Sequence, residues 1–241
     1  MQGIIYAAGY GSRLSRPLNL KPKSLLQIGN KTIIYLMIKK LISCRVTKIN
    51  IVVGYKSKLL QSYLIKNFKN KCTFNFIKNK FYKSRGNIYS AYLIKKKINE
   101  DVIILNSDLL FQKKTLVKFL NIKHKNLFLT NKKADITKDD IIFVYKKNKD
   151  VKKVYIKKKI NKKISMSPAS GIVKMSNKSF NDFLSIISKE NLTKKKYYEE
   201  AYKKLIEREI FKVHQATERI EEIDTEDDYK KIIRLNYKKY L

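Results

Sequence analysis

The chain has 241 residues and a formal net charge of +35, from 55 Lys and Arg against 20 Asp and Glu. Its length is that of one α/β domain, and 44% hydrophobic residues exclude a disordered polycation, which lacks the apolar side chains that form a core. Residues 1–99 contain no Asp or Glu, so any metal-binding carboxylate or acidic catalytic group must come from Glu100 onward.

The composition also limits the classes of partner and cofactor. Only seven of the 55 basic residues are arginine, whereas proteins that read nucleic acid favour the bidentate arginine fork. The two cysteines and two histidines form no sequence cluster, which argues against a structural zinc or a disulfide framework. The sequence shows neither a signal peptide nor an apolar stretch of about 18 residues, so we expect a cytoplasmic protein without stable membrane insertion.

Apolar runs in the first half of the chain predict alternating strands and helices. Strands are predicted at residues 3–8, 49–53, 73–77 and 102–105, and helices over 33–42, 59–64 and 88–98. Residues 9–24 are polar and predict a loop, while residues 109–120 would fit a helix. Continuous apolar strands that alternate with helices are typical of a parallel sheet covered on both faces.

Beyond about residue 125 the pattern changes to strands without intervening helices. These strands are predicted at 127–130, 141–145, 151–156, 171–175 and near 210–213, with helices near 177–189, near 196–208 and from 226. The last helix is basic and amphipathic, which fits either a membrane surface or a soluble core. We favour the core because Tyr229, Ile232, Ile233 and Tyr237 form a single apolar stripe.

A loop with two glycines follows the first predicted strand, at the end of the sheet where ligands bind in parallel α/β folds. Gly9 and Gly11 allow close backbone approach and positive φ, and consecutive N–H groups there form an anion site. Arg13 adds a bidentate phosphate donor, and Lys23 adds a mobile positive charge. The pattern therefore indicates phosphate binding.

Two common phosphate-binding motifs do not fit this loop. A dinucleotide fingerprint needs a third glycine where the chain has Leu14, and a ribose-binding acid about 20 residues later, where the sequence offers none. The P-loop pattern G-x-x-x-x-G-K-[ST] is absent. What remains is Gly-x-Gly-x-Arg followed, after a loop, by Pro-Lys.

That combination resembles the nucleotidyltransferases that make nucleotide-activated sugars and alcohols. Their signature, A-A-G-x-G-x-R, then P-K, then a Gly-x-x-x-Ile lead into a helix, is matched by Ala7, Ala8, Gly9, Gly11, Ser12, Arg13, Leu14, Pro22, Lys23, Leu26 and Gly29. The resemblance implies a Rossmann-like three-layer α/β/α fold with a mostly parallel sheet and a small strand-rich insertion. It also implies that residues 7–13 grip the nucleotide, with Arg13 and Lys23 as catalytic cations on the phosphates.

Within that family, the sequence most resembles the short enzymes that transfer CMP to phosphocholine. Residues 79–90 are similar to their N-x-x-Y-x-x-x-N-N-x-Y-S, and residues 222–229 are similar to their E-I-D-[ST]-x-x-D-Y. On this resemblance Asn87 and Ser90 are assigned to nucleotide binding. Gly86 departs from the pattern, because those enzymes often carry an Asn there, and the base contacts are left open.

Three carboxylates are the candidate ligands for Mg²⁺, which prefers oxygen donors. Asp108 follows an apolar strand and resembles the metal-binding strand end of the family, although it would also suit a helix N-cap. Glu222 and Asp224 alternate along a predicted strand, so their side chains point the same way. Alternatively, Thr225 and Asp228 form a capping box for the last helix, and both roles are compatible.

Substrate specificity is less clear from the residues. An ammonium group is usually bound by aromatic rings or a carboxylate, and the candidates are Tyr197, Tyr198, Glu199 and Glu200, or Asp135, Asp139 and Asp140. Arg85 is either a phosphate contact or an exposed loop residue. Lysine runs at 95–97, 157–159 and 194–196 are predicted to be solvated faces.

These observations predict a Mg²⁺-dependent cytidylyltransferase with CTP and a small phosphorylated acceptor as partners, and a homodimer is left open. The acceptor would be a phosphocholine-like compound, a phosphorylated amino acid such as phosphoglutamine, or an aminoalkyl phosphonate, and the product would serve surface polysaccharide decoration. The alternatives are a hexose-1-phosphate nucleotidylyltransferase and a Lys-rich nucleic-acid-binding protein. We predict one domain, with a nucleotide-binding half (1–124), a substrate-binding insertion (125–215), and a metal-ligand strand and C-terminal helix (216–241).

Overall fold

The computed structural model of the chain describes residues 1–15, 18–94, 98–131, 136, 140–156, 165–234 and 237–241. The helices are α1 (Ile33–Ser43), α2 (Ser57–Phe68), α3 (Asn87–Tyr92), α4 (Lys113–Leu120), α5 (Asn177–Ser188), α6 (Glu200–Arg208) and α7 (Glu226–Arg234). The strands are β1 (Gln2–Ala7), β2 (Gln27–Ile28), β3 (Lys31–Thr32), β4 (Lys48–Val53), β5 (Thr73–Lys78), β6 (Val102–Asn106), β7 (Leu109–Leu110), β8 (Leu127–Thr130), β9 (Ile141–Tyr145), β10 (Val151–Ile156), β11 (Met166–Met175), β12 (Lys212–Gln215) and β13 (Glu221–Glu222).

A mostly parallel sheet forms the centre of the molecule and confirms the predicted α/β architecture. Strands β5, β4, β1 and β6 run parallel in that order, and β11 then pairs antiparallel with β6. Next to β11 lies β8, and β12 pairs in parallel with β8. Tyr6 of β1 is in register with Val52 of β4 and Asn106 of β6, so the carboxyl ends of these three strands meet at one edge.

A smaller sheet branches from the long strand β11. The first part of β11 pairs with β9, which pairs with β10, whereas residues 172–175 belong to the central sheet. Gly171 lies between the two parts with a φ of +77°, a conformation that favours glycine, and the register with β8 shifts there. The second half of the chain therefore both extends the central sheet and builds a side sheet.

Helices cover both faces of the central sheet. Successive side chains of β1 point to opposite faces and belong to two different buried clusters. Ile4 and Tyr6 belong to the cluster that packs against α3, α5 and α6. Ile5 and Ala7 belong to the cluster that packs against α1, α2 and α4. The helix α1 begins at a side-chain cap, where the Thr32 hydroxyl accepts a hydrogen bond from the backbone N–H of Tyr35.

The predicted apolar stripe of the C-terminal helix packs into the protein only in part: Ile232 is buried, but the prediction is wrong for Ile233, which is 39% exposed. Ile232 and Tyr240 are buried in a third cluster with Leu14 and Ile28. The Tyr229 hydroxyl donates to the carbonyl oxygen of Gln27 at 2.9 Å. Within the part of the chain that the structure describes, no helix is both long and apolar enough to cross a membrane.

Several element boundaries differ from the sequence predictions: β11 begins at Met166 rather than at 171, and α2 spans Ser57–Phe68 rather than 59–64. The helix predicted over 88–98 ends at Tyr92, since Leu93 and Ile94 continue in a turn that also buries Ile94. The prediction of a helix over 109–120 is wrong for its first turn: Leu109 and Leu110 form β7, which pairs with β13, and α4 begins at Lys113. The helix predicted from 196 begins at Glu200. Apolar spacing alone does not distinguish these short extended or turn segments from a helical turn.

Candidate active site

A cavity of about 760 Å³ lies beyond the carboxyl ends of β1 and β6, the edge where ligands bind in parallel sheets. One side is formed by the glycine-rich loop after β1 and by Lys23. The opposite side is formed by residues 79–90 and by the segment before α6. The predicted nucleotide-binding, catalytic and metal-ligating residues all line this cavity: Ala7, Ala8, Gly9, Gly11, Ser12, Arg13, Lys23, Asn87, Ser90, Asp108, Glu222 and Asp224.

The glycine-rich loop is anchored to the end of β4. The carbonyl oxygen of Ala8 accepts a hydrogen bond from the N–H of Tyr55 at 3.1 Å. The absence of a side chain at Gly54 lets the glycine-rich loop lie close to the end of β4, because a Cβ at Gly54 would lie 2.6 Å from the carbonyl oxygen of Ala8. Gly11 has a φ of +68°, whereas a Cβ on Gly9 would meet no atom within 4 Å, which leaves room for a ligand on that side.

The three candidate metal ligands come together through the pairing of β7 with β13. The N–H of Ile223 donates to the carbonyl oxygen of Asp108 at 3.0 Å, which places the residues on either side of Ile223 next to Asp108. One carboxylate oxygen from each of Asp108, Glu222 and Asp224 lies within 4.8 Å of the others. We call these three residues the carboxylate cluster.

The alternative role that the sequence allowed for this region is also present. The Thr225 hydroxyl accepts from the N–H of Asp228 at 3.2 Å, and the Asp228 carboxylate accepts from the N–H of Thr225 at 2.8 Å. These reciprocal bonds form the capping box of α7. Capping therefore uses Thr225 and Asp228 and leaves the side chain of Asp224 facing the cavity.

Two cations contact the carboxylate cluster. The Lys23 ammonium lies 2.7 Å from Asp108 and 2.7 Å from Asp224, and the Arg13 guanidinium lies 2.9 Å from Asp224. Burial alone would lower the pKa of Lys23, but the two carboxylates outweigh burial and raise it. Burial alone would raise the pKa of Asp224, but Lys23 and Arg13 hold it below its usual value. Lys23 and Asp224 are therefore both charged at neutral pH.

The carboxylate cluster fits a hard divalent cation such as Mg²⁺. Its donors are all carboxylate oxygens, which such ions prefer. Among the described residues, Asp108 Oδ1 is buried and has no hydrogen-bond partner, although Asp108 Oδ2 is paired with Lys23. A buried carboxylate oxygen normally has a partner, so this atom is suited to a metal ion.

Asn87 and Ser90 line the cavity, and each also has a structural hydrogen bond. The Ser90 hydroxyl accepts from the side-chain amide of Asn79 at 3.0 Å, and both residues are buried. The side-chain oxygen of Asn87 accepts from the N–H of Tyr198 at 2.8 Å, and its amide nitrogen donates to Glu199 at 3.4 Å. Asn79 was not predicted as a site residue, although it begins the N-x-x-Y pattern.

Another part of the cavity wall is aromatic. It is formed by a tyrosine wall, which consists of Tyr6, Tyr198 and Tyr202, together with the buried carboxylate of Glu199. Burial, reinforced by Glu199, raises the pKa of each of these tyrosines, so they are neutral hydrogen-bonding groups. Within the described residues, the Tyr6 hydroxyl is buried without a hydrogen-bond partner.

The sequence had suggested several residues for this part of the cavity wall. Tyr198 and Glu199 are buried and line the cavity, and Tyr197 and Asp140 line it as well. Glu200 instead pairs with Lys203 on the outside of α6, at 2.6 Å. Asp135 and Asp139 lie outside the described residues, as do the lysine runs 95–97 and 157–159. Tyr6 and Tyr202 were not predicted as site residues, because a tyrosine within a buried strand or helix has the same sequence pattern as a residue of the hydrophobic core.

Arg85 lies against two aromatic rings that contact each other, and it lines the cavity. Its guanidinium carbon lies 4.1 Å from the ring centre of Phe81 and 4.3 Å from that of Tyr89. Such cation–π contacts fix the side chain without neutralising its charge. Arg85 lines the cavity and is half-buried, and its contact with a phosphate stays a prediction.

A family model described as nucleotidyl transferase matches residues 2–222 of the chain. Choline-phosphate cytidylyltransferase of Streptococcus pneumoniae is 30% identical over 148 residues, which are 61% of this chain and 55% of that protein. CTP:phosphoglutamine cytidylyltransferase of Campylobacter jejuni is 31% identical over 139 residues, 55% of this chain and 53% of that protein. Mannose-1-phosphate guanyltransferase of Kluyveromyces lactis is 34% identical over 114 residues, 46% of this chain and 31% of that protein.

The chain thus spans about half the length of the two cytidylyltransferases, and less of the guanyltransferase. The similarity of the fold is more extensive. The solved structure of CTP:phosphocholine cytidylyltransferase from Streptococcus pneumoniae superposes with a TM-score of 0.78 and 26% identity, and covers 96% of this chain and 97% of that one.

Proposed function

The chain belongs to the nucleotidyl transferase family, and from this premise we propose that it is a Mg²⁺-dependent cytidylyltransferase. It would transfer CMP from CTP to a small phosphorylated acceptor and release pyrophosphate. The observation that carries this proposal is one cavity in which a glycine-rich loop, Lys23 and Arg13 lie beside the carboxylate cluster. The choice of CTP is supported by the similarity to two cytidylyltransferases.

The chemistry requires the meeting of two anions. A phosphate oxygen of the acceptor attacks the α-phosphorus of CTP, a new P–O bond forms, and the bond to the β-phosphate oxygen breaks as pyrophosphate leaves. Catalysis of such a transfer consists mostly of positioning and charge neutralisation. Mg²⁺, held by the carboxylate cluster when bound, would neutralise phosphate charge.

The chain's own residues have separate parts in this reaction. The loop from Ala8 to Arg13 offers backbone N–H groups and a guanidinium to the triphosphate. Lys23 is buried enough to be oriented, at 14% side-chain exposure, and follows the negative charge that develops on the leaving pyrophosphate. Asn79, Asn87 and Ser90 line the same cavity and would contact the nucleoside.

The acceptor is proposed to carry a positively charged amine. Glu199 is only 5% exposed, lines the cavity and lies beside the tyrosine wall, and this combination of a carboxylate with aromatic rings suits an ammonium group. Phosphocholine, a phosphorylated amino acid such as phosphoglutamine, and an aminoalkyl phosphonate all have such a group. The CDP-linked product would then be used in the cytoplasm to decorate surface polysaccharides.

The test is an acceptor screen with the purified protein, CTP and Mg²⁺, in which pyrophosphate release is measured and the product is identified by mass spectrometry. We expect turnover with at least one amine-bearing phosphate or phosphonate, and no turnover by Asp108→Ala. UTP, GTP, ATP and dTTP serve as controls for the base. Absence of pyrophosphate with every nucleotide and acceptor would overturn the proposal.

A hexose-1-phosphate nucleotidylyltransferase is the second candidate, and it is favoured by the similarity to mannose-1-phosphate guanyltransferase. A hexose 1-phosphate has no ammonium group, which is the group that the carboxylate of Glu199 and the tyrosine wall would suit. Hexose 1-phosphates in the same screen decide between the two candidates. Faster turnover with a hexose 1-phosphate than with any amine-bearing acceptor would reverse our order.

A further inference from the structure

We propose that Gly86 and Asn87 are positioning residues for the acceptor, because they fasten the acceptor side of the cavity to the start of α3. The docked segment, which we define as residues 194–199, ends in Tyr198 and Glu199 and lies against these two residues. This inference rests on the proposed function, since it concerns how the amine-binding groups of that site are held.

The contact at Gly86 is a requirement of space. A Cβ built on Gly86 would lie closer than 3.0 Å to the backbone carbonyl group and nitrogen of Lys196, a separation that real Cβ atoms essentially never show. The backbone of Gly86 is extended, with a φ of −69°, so any residue could adopt its conformation. A side chain is therefore excluded by the docked segment alone.

Hydrogen bonds complete the attachment on the side of α3. The N–H of Ile88 donates to the carbonyl oxygen of Lys196 at 3.3 Å. Asn87 accepts from the N–H of Tyr198 and donates to the carboxylate of Glu199. One asparagine thus fixes both the backbone and the carboxylate of the docked segment.

Other contacts hold the docked segment from the remaining sides. Lys196 pairs with Glu190 at 2.7 Å, and the Tyr198 hydroxyl donates to the side-chain oxygen of Asn106 at 2.8 Å. Asn106 ends β6 and stands two residues before Asp108 of the carboxylate cluster. The docked segment therefore joins α3 to the strand end that carries the proposed metal site.

The consequence is that acceptor binding depends on a position that has no side chain. If a side chain at Gly86 lifts the docked segment, Glu199 and Tyr198 move away from the acceptor, whereas the glycine-rich loop and the carboxylate cluster are supported by other elements. We therefore expect substitution of Gly86 to raise the KM for the acceptor more than the KM for CTP. Misplacement of binding groups by about 1 Å can cost up to about a hundredfold in rate.

The experiment compares Gly86→Ala with the wild type and with Ser84→Ala, a matched control in the same loop whose hydroxyl has only a 3.5 Å contact with Phe81. Hydrogen exchange by mass spectrometry reports docking through the amides of Ile88 and Tyr198. Steady-state kinetics with CTP and the best acceptor from the screen reports function. Asn87→Ala is a second variant, which removes two hydrogen bonds without adding a clash.

For Gly86→Ala we expect at least about tenfold faster exchange at residues 88 and 194–199, and at least about a tenfold rise in acceptor KM, with CTP KM changed less than about threefold. Exchange in α2 and β5 should stay at the wild-type rate and shows that the variant is folded. Asn87→Ala should show the same faster exchange to a smaller extent; because Asn87 is also assigned to nucleotide binding, only its exchange rates are compared.

Wild-type exchange rates at residues 88 and 194–199 in both variants would overturn the inference, and so would faster exchange with an unchanged acceptor KM. An equal rise of both KM values would also count against it, since it would indicate a general structural role. If the wild-type protein turns over no acceptor, the proposed function fails and the claim about acceptor binding fails with it, while the exchange data still decide whether Gly86 and Asn87 hold the docked segment.

Discussion

Two parts of the cavity wall, which we call the phosphate end and the acceptor end, both contain carboxylates, but the groups that contact these carboxylates differ. At the phosphate end, Asp108 and Asp224 are each within 3 Å of a cation, and the charges nearly balance. At the acceptor end, Glu199 lies beside neutral tyrosines and the amide of Asn87. In the proposed function, the first end would bind Mg²⁺ and the phosphates, and the second would bind the amine of the acceptor.

The prediction with the largest effect concerns the phosphate end. Asp108→Asn removes the charge of the most enclosed member of the carboxylate cluster, and we expect kcat to fall by about a thousandfold, since metal ions contribute several kcal/mol to such reactions. Glu222→Gln is the matched variant: Glu222 is exposed, and its kcat should fall only about tenfold. Pyrophosphate release at saturating Mg²⁺ measures both. Equal losses in the two variants would contradict the distinction between an enclosed and an exposed ligand.

Lys23→Met tests whether the balance of charge at the phosphate end matters for catalysis as well as for metal affinity. Lys23 contacts both Asp108 and Asp224, so its removal leaves the carboxylates more negative. We expect Mn²⁺, measured by calorimetric titration without nucleotide, to bind more tightly, while kcat falls by about a hundredfold because a phosphate contact is lost. Lys21→Met, at an exposed position nearby, should change neither quantity. Weaker Mn²⁺ binding by Lys23→Met would show that Lys23 does not compete with the metal.

Glu199→Gln tests the acceptor end. The substitution keeps the shape and the hydrogen bond to Asn87 but removes the negative charge, so the acceptor KM should rise about thirtyfold, in line with the cost of breaking a buried ion pair, while the KM for CTP stays unchanged. Glu200→Gln is the control, since Glu200 faces Lys203 outside the cavity. A rise in the KM for CTP instead would move Glu199 to the nucleotide side and weaken the comparison between the two ends.

The two ends also differ in how far the sequence predicts them. The glycine-rich loop and Lys23 come from one short stretch of sequence. Its motif predicts phosphate binding from the residue types and their spacing alone, without knowledge of the fold. The carboxylate cluster joins residues more than 100 positions apart, and no local pattern in the sequence shows that Glu222 and Asp224 lie beside Asp108. At the acceptor end, Tyr6 is indistinguishable from a core residue of a buried strand, and the close contact of Gly86 with Lys196 depends on tertiary packing that no local pattern contains.

The smallest predicted effect concerns the Tyr6 hydroxyl, whose removal should affect the stability of the protein and the binding of the acceptor in different directions. The Tyr6 hydroxyl is buried without a hydrogen-bond partner among the described residues, and a buried unsatisfied hydroxyl costs about 1–3 kcal/mol. Tyr6→Phe should therefore unfold at the same or a higher denaturant concentration than the wild type. If the hydroxyl serves the acceptor, the same variant should show a rise of about threefold to tenfold in acceptor KM, equivalent to one lost hydrogen bond, with CTP KM unchanged. A loss of stability would instead mean that the hydroxyl is satisfied in the free protein, and the acceptor end would then be a packed core rather than a prepared binding surface.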